Sequence, residues 1–170
     1  GCGEGWLVRE LVANGIDALG IDAIPEFIEN ANQHKIGRFR VLSYEKTSSI
    51  ELKEKFDVVV CNFSLLGENS VNNLFQKIPS LLNENGVFIV QTIHPIVNCG
   101  NSKYEDGWRE GSWAGFNKNF RSPAPWYFRT IETWKTLFKN NGFKLSKINE
   151  PKNPETKEPA SIVFFGEFSS

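Results

Sequence analysis

Apolar and polar positions along the 170 residues switch between a period of about 3.6 and a period of 2, and each switch marks an element. Trp6 to Asn14 (WLVRELVAN) puts Leu7, Leu11 and the neighbouring valines on one helical face, with Gly15 placed to stop the helix. Ala18 to Ile21 reads as a short strand ending at Asp22. Pro25 suits the first turn of a helix that runs through Phe27, Ile28 and Ala31 to about His34. Phe39 to Tyr44 alternates as a strand, and a helical turn occupies Ser49 to Lys55. The β-branched run Phe56 to Asn62 predicts a strand buried on both faces. Val71 to Leu82 is predicted helical, with Pro79 bending or interrupting it, and Asn85-Gly86 turns the chain into a strand over Val87 to Thr92. Between Ile93 and Arg129 the periodicity lapses, and a loop of that length inside a compact domain tends to be functional. Thr130 reads as the N-cap of a helix with Ile131, Trp134, Leu137 and Phe138 inward and Gly142 at its end. Strands over Phe143 to Asn149 and Ser161 to Phe168 flank the turn-rich EPKNPETKEP. Helix and strand in alternation predict a single α/β domain built on a mainly parallel sheet.

The chemistry concentrates at the start of the chain. Gly1, Gly3 and Gly5 clear side chains from the turn before the first helix, so that a ligand can lie against main-chain N–H groups at a helix N-terminus. A glycine corner also serves plain strand-to-helix turns; Asp22 raises this one above that. It ends the next strand, roughly 20 residues from the first glycine, where a carboxylate can accept both hydroxyls of an adenosine ribose. Loop, helix, strand and acid form one βαβ unit for an adenosine-containing cofactor. A dinucleotide loop, GxGxxG, needs a small residue in its last place for close helix–strand packing, and Trp6 stands there instead. The spacing is GxGxG.

GCGEG followed by WLVREL resembles the first motif of the class I S-adenosylmethionine-dependent methyltransferases, and ALGIDAIPEFIENAN resembles their second. FDVVVCNFSLL is similar to their fourth strand and following loop, and NLFQKIPSLLNENGVFIVQT to the helix, turn and fifth strand. The general appearance is nearest the small-molecule, ubiquinone-biosynthesis-like branch. The resemblance implies a Rossmann-like sandwich with a mostly parallel seven-stranded sheet whose last strand is antiparallel. It also implies an apolar strand upstream of Gly1, because the family's first strand precedes the glycines. S-adenosyl-L-methionine is the cofactor implied, and methyl transfer to an O, N or C atom of a small-molecule acceptor the activity. Around the cofactor it would place Gly1, Cys2, Gly3 and Gly5 from the loop, with Asp22 and Ala23 at the ribose. Tyr44, Asn62 and Phe63 would complete that set. After the third strand the family often carries Asp before a small residue, whereas this chain has Ser43-Tyr44-Glu45, which leaves the adenine contact open.

The lapse from residue 93 to 129 is rich in aromatics and reads as a lid over the acceptor. Tyr104, Trp108, Trp113 and Tyr127 are its candidate substrate contacts, joined by Arg109 and Arg129 as holders of a substrate carboxylate. Phe116 and Phe120 belong to the same cluster; all these rings would equally serve to pack the loop. His94, directly after the fifth strand, is the candidate general base, set against a purely structural role. Glu150 is a further candidate.

Charge and cysteine usage narrow the classes. A formal net charge of −1 disfavours a phosphate-neutralising surface, hence no nucleic-acid partner is expected. Cys2, Cys61 and Cys99 form no CxxC pair, so neither a disulfide framework nor a metal site is expected, and reduced thiols suit the cytoplasm. No apolar run reaches the ~18 residues of a membrane span. The competing classes are a nicotinamide-dinucleotide oxidoreductase, a protein or nucleic-acid methyltransferase, and a non-catalytic cofactor-binding module.

Overall fold

A computed structural model describes residues 1–100, 102–111 and 123–168. Helix α1 (Trp6–Ala13) ends where the pattern placed its stop: Gly15, at φ 78°, donates its N–H to Val12 O at 2.9 Å, and Ile16 N–H reaches Leu11 O at 3.0 Å. These two bonds satisfy carbonyls that a helix end otherwise leaves orphaned, and the left-handed φ suits glycine. Strand β1 (Leu19–Asp22), helix α2 (Pro25–Gln33) and strand β2 (Arg38–Val41) follow, β1 and β2 pairing in parallel. After the short α3 (Ser49–Leu52), strand β3 (Phe56–Asn62), helix α4 (Asn69–Leu81) and strand β4 (Leu82–Ile93) complete a second parallel pair. Helix α5 (Pro95–Cys99) and the antiparallel hairpin β5 (Gly107–Arg109) with β6 (Trp126–Phe128) lie inside the stretch expected to be irregular. Helix α6 (Ile131–Asn140), β7 (Phe143–Asn149) and β8 (Ser161–Phe168) end the described chain. Thr130 caps α6 as expected, its Oγ1 accepting from Thr133 N at 3.2 Å.

The sheet departs from the seven-stranded expectation. Among the described residues there are three sheets: β1-β2, the four-stranded β3-β4-β8-β7, and β5-β6. The main sheet is mixed, since β8 runs antiparallel to both β4 and β7; the antiparallel last strand was anticipated. β1 and β3 each present an unpaired edge to a cavity of about 590 Å³, walled by Leu19 and Ile21 of β1, Val58 and Val60 of β3, and Leu7 and Leu11 of α1. This slot corrects the reading of β3 as buried on both faces: Val58 is 46% and Val60 41% exposed. Two smaller corrections are local. Pro79 does not interrupt α4, which continues to Leu81 although the proline has no N–H to offer the carbonyl of Phe75. β2 ends at Val41, before the expected Tyr44.

The core lies on one face of the four-stranded sheet. α4 supplies Val71, Leu74, Phe75 and Ile78, α6 supplies Trp134 and Phe138, and β4 and β8 answer with Phe88, Val90, Ile162 and Phe164. Phe75 meets Phe88 edge-on at 5.0 Å and Phe138 at 5.1 Å between centroids. Gly166 makes room for this packing, since a Cβ there would lie 2.5 Å from the Phe138 ring. This packing holds rigid the sheet whose C-terminal rim carries the candidate site.

Candidate functional site

The glycine loop is held against the end of β1 by main-chain bonds. Gly1 N and Cys2 N both donate to Ile21 O, at 2.7 and 2.8 Å, and Gly5 N donates to Cys2 O at 3.1 Å. Asp22 then locks loop and strand together: Oδ2 accepts Gly3 N–H at 2.8 Å and Oδ1 accepts Ile24 N–H at 3.0 Å. Asp22 is only 8% exposed, so it serves first as a brace for the loop. Each carboxylate oxygen has a further lone pair with which to accept a ligand hydroxyl. Gly5 carries the φ of 80° that starts α1, and a Cβ there would meet the Phe39 ring at 2.4 Å, so two independent constraints demand glycine.

Gly1, Cys2, Gly3, Tyr44 and Asn62 share the upper wall of the slot. A Cβ on Gly1 would fall 2.5 Å from Ser64 Cβ and 2.9 Å from Tyr44 Oη, so the glycine keeps open a narrow cradle. Tyr44 Oη donates to Ser64 O at 3.1 Å, which ties β2's exit to the loop after β3. Burial pushes the Tyr44 phenol well above its ordinary value, with the neighbouring Cys61, Asp22 and Cys2 adding to the shift. Burial likewise raises the Cys61 thiol to about 11 and lifts Cys2. These groups are neutral at pH 7 and line the wall as apolar surface with weak donors. Asn62, at the C-terminal end of β3, leaves a buried Oδ1 with no partner among the described residues. Phe63 follows in the left-handed region at φ 49°, 46% exposed, its N–H on Gln91 O at 2.9 Å. Ala23 is exposed at the mouth of the loop. Ser64 was not anticipated, and nothing local marks it: its role comes from contact with residues 20 and more positions away.

The expected substrate residues divide. Tyr104 is spent on α6, its hydroxyl accepting Ile131 N–H at 2.8 Å and donating to Glu132 Oε2 at 3.2 Å. Arg109 folds back on its own loop, donating to Lys103 O at 2.8 Å and Glu105 O at 3.1 Å beneath the Phe128 ring. Neither joins a common site with the glycine loop. Trp113, Phe116 and Phe120 lie outside the described residues. Trp108, 55% exposed, stacks edge-on against Tyr127 at 5.6 Å, and Tyr127 N–H holds Leu66 O at 2.7 Å. This contact seats the hairpin on the loop after β3. Arg129 is buried beside it, 2% exposed, with its guanidinium 4.8 Å from the Tyr127 ring centre and 5.2 Å from that of Trp134. Its Nη2 donates to Glu68 O at 2.9 Å and Asn72 Oδ1 at 3.3 Å. Burial lowers its pKa, and its Nη1 has no partner among the described residues. Asp106, which accepts from Thr130 N at 2.8 Å and Thr133 Oγ1 at 2.7 Å, is a further anchor that local pattern did not mark.

His94 caps α5 at the end of β4 and is 3% exposed. Its Nε2 lies 3.3 Å from Glu150 Oε1, at the exit of β7, across the first residues of β8. It does not line the slot. Among the described residues no cluster of His, Cys, Asp and Glu can hold a metal ion, and no helix is long and apolar enough to cross a membrane.

A family model described as a methyltransferase domain matches residues 1–148. A ubiquinone biosynthesis O-methyltransferase from Haemophilus ducreyi is 32% identical over 102 residues, covering 55% of this chain and 43% of that protein. The protein of the same name from Rickettsia canadensis is 26% identical over 140 residues, covering 78% and 59% respectively. The chain thus spans roughly half the length of these curated relatives. Among solved structures, a putative S-adenosylmethionine-dependent methyltransferase from Listeria monocytogenes superposes with TM-score 0.78 at 18% identity, over 100% of this chain and 89% of that one. A 1,6-didemethyltoxoflavin-N1-methyltransferase from Burkholderia thailandensis gives TM-score 0.72 at 15% identity, over 100% and 69%. At those identities the structural likeness is one of fold.

Proposed function

We propose, for a chain that belongs to the methyltransferase-domain family, that it moves a methyl group from S-adenosylmethionine to an O, N or C atom of a small-molecule acceptor. The observation that carries this is the glycine loop braced by Asp22: bare backbone at the start of α1, a carboxylate with spare lone pairs, and a cradle at Gly1 that a single Cβ would fill. The unpartnered Oδ1 of Asn62, on the same wall, suits a donor group of the same ligand. Gly1, Cys2, Gly3 and Gly5 would hold the cofactor's chain end, with Asp22 and Ala23 at its ribose and Tyr44, Asn62 and Phe63 around its remaining contacts. Held there, S-adenosylmethionine would supply an activated sulfonium methyl for the acceptor's lone pair, with the electrons of the carbon–sulfur bond going to sulfur and the acceptor's proton going to a base. The protein's part is to orient and to exclude water, effects worth up to roughly 7–11 kcal/mol.

His94 is the base assigned to that proton. The segment 93–129 is the lid, with Trp108 and Tyr127 presenting rings from it and Arg129 behind them; Trp113 belongs to the same lid by sequence. The net charge of −1 and the similarity to ubiquinone-biosynthesis methyltransferases support a small molecule over nucleic acid as acceptor. Three free cysteines suit the cytoplasm. The slot between β1 and β3 has apolar walls and an unpaired strand edge on either side, which suits one extended strand between them, and such a strand would join the sheets toward the seven-stranded form. Calorimetry with S-adenosylmethionine, S-adenosylhomocysteine and NAD tests the assignment: binding of the first two and not of NAD is expected, and binding of NAD alone overturns it.

A further inference from the structure

We infer that Lys77 is a positioning residue for the nucleoside site: from α4 it holds the turn after β2, so that the Tyr44 phenol stays laid across the mouth of the slot, against Gly1. The inference rests on the assignment of that mouth to S-adenosylmethionine, and adds to it a residue outside the cavity wall. Among the described residues the β1-β2 pair and the four-stranded sheet share no ladder, so side chains must set how far apart their C-terminal ends stand. α4 belongs to the four-stranded sheet, anchored there by Val71, Leu74, Phe75 and Ile78, and Lys77 reaches from it to the other sheet. Its ammonium donates to Tyr44 O at 3.2 Å and to Glu45 O at 2.5 Å. One cation thereby fixes two carbonyls at the exit of β2, and charge-assisted bonds are roughly twice as strong as neutral ones.

Tyr44 carries the tie back. Its carbonyl also takes Thr47 N–H at 3.3 Å, and Thr47 Oγ1 donates to Ser43 O at 2.8 Å, which closes the turn on itself. Its Oη donates to Ser64 O, 3.1 Å away in the loop after β3. The side chain therefore starts at the exit of β2 and finishes at the exit of β3, with Gly1, Cys2 and Asn62 beside it in the cavity wall. A Cβ on Gly1 would lie 2.9 Å from the phenol oxygen, so the ring forms one side of the cradle. Without the Lys77 cation the turn keeps its internal bonds and loses its hold on α4, and a nucleoside must then order the ring as it binds. Ordering a side chain of this kind weakens binding about tenfold.

Calorimetry with S-adenosylmethionine and S-adenosylhomocysteine compares the wild type with Lys77→Met, which keeps the stem and removes the cation. Binding about tenfold weaker is expected, with Lys77→Arg restoring most of it because a guanidinium can donate to both carbonyls. Arg38→Met is the structural control. Arg38 ties the same two sheets at the opposite end of β2, to Glu54 at 3.0 Å and Asp17 at 3.2 Å, and its loss is expected to leave the affinity unchanged. The chain has three tyrosines, so ¹³Cζ spectra resolve Tyr44, assigned by Tyr44→Phe. Its resonance is expected to move toward that of a solvated phenol in Lys77→Met and to stay in place in Lys77→Arg. If circular dichroism shows Lys77→Met unfolded, Lys77→Gln, too short for both carbonyls, takes its place. A folded variant that binds with wild-type affinity makes Lys77 a structural tie alone and overturns the inference. Weaker binding with an unmoved Tyr44 resonance, or an equal loss in Arg38→Met, overturns it as well. A wild type that binds neither nucleoside refutes the methyltransferase reading, and the Tyr44 resonance then decides alone whether Lys77 holds the ring.

Discussion

Asp22→Ala removes two hydrogen bonds at once, because Oδ2 holds Gly3 N–H at 2.8 Å and Oδ1 holds Ile24 N–H at 3.0 Å. Bonds to a charged acceptor contribute about 1.5–3 kcal/mol each, and the two donors are only part-buried, so water recovers some of the loss. A net destabilisation of about 2–4 kcal/mol follows, read as a lower urea midpoint with an unchanged slope. The same carboxylate is assigned to the cofactor's ribose, and losing a hydroxyl pair on a charged acceptor costs about 3 kcal/mol, or roughly 100-fold in Kd. Asp22→Asn separates the two effects. It keeps one acceptor oxygen but sets an amide NH₂ against a backbone N–H, so its stability falls between wild type and Asp22→Ala. Both variants are titrated with S-adenosylmethionine at a temperature where circular dichroism shows them folded. If Asp22→Ala unfolds at the wild-type urea concentration, the brace is not what holds the glycine loop. If it is folded and binds with unchanged affinity, the ribose assignment is wrong.

Gly5→Ala combines a left-handed φ with a Cβ placed 2.4 Å from the Phe39 ring, and is expected to cost at least about 1–3 kcal/mol in a thermal melt. Thr130→Ala deletes the α6 cap and is expected to cost about 1 kcal/mol by urea denaturation, with Thr130→Ser restoring most of it. Alkaline stability has a definite sign: Cys61, raised to about 11 by burial, keeps its proton in the folded chain when the unfolded thiol has lost it. That stabilisation is complete below the unfolded thiol's value near 9 and is lost as pH rises through 11, so stability falls across that window by an amount on the order of 2 kcal/mol. Tyr44, raised in the same sense, extends the fall upward, and Cys61→Ala flattens its lower part.

Features set by near neighbours were legible in the sequence. The stop at Gly15 and the cap at Thr130 each depend on contacts within a turn, whereas Asp22 was marked as a ribose acceptor and its bracing of the Gly3 and Ile24 N–H groups was not foreseen. The β-branched run of β3 was read for its strand and misread for its burial, because residue type records what a strand prefers to pack against and the slot beside it is a property of the whole sheet. The hairpin of β5 and β6 escaped notice because three-residue strands carry too little period. Arg129 was marked as a holder of a substrate carboxylate; its burial against Glu68 and Asn72, 61 and 57 positions away, depends on the β5–β6 pair that sequence did not reveal. Arg109 and Tyr104 were marked by type alone, and the fold spends both on local carbonyls and a helix end.

The slot between β1 and β3 has a thermodynamic consequence of its own. Whatever strand pairs with those two edges binds the folded chain and has no counterpart in the unfolded one, so it stabilises by RT ln(1 + [L]/Kd). The edges also set the two halves of the glycine site, since β1 ends at Asp22 and β3 at Asn62. If the cofactor binds there as proposed, occupancy of the slot and affinity for S-adenosylmethionine are linked quantities, each raising the other by the same factor when the strand fixes the spacing of those two ends. A melting temperature that climbs with the concentration of an apolar strand peptide, and climbs further when cofactor is added, is the measurable form of that reciprocity.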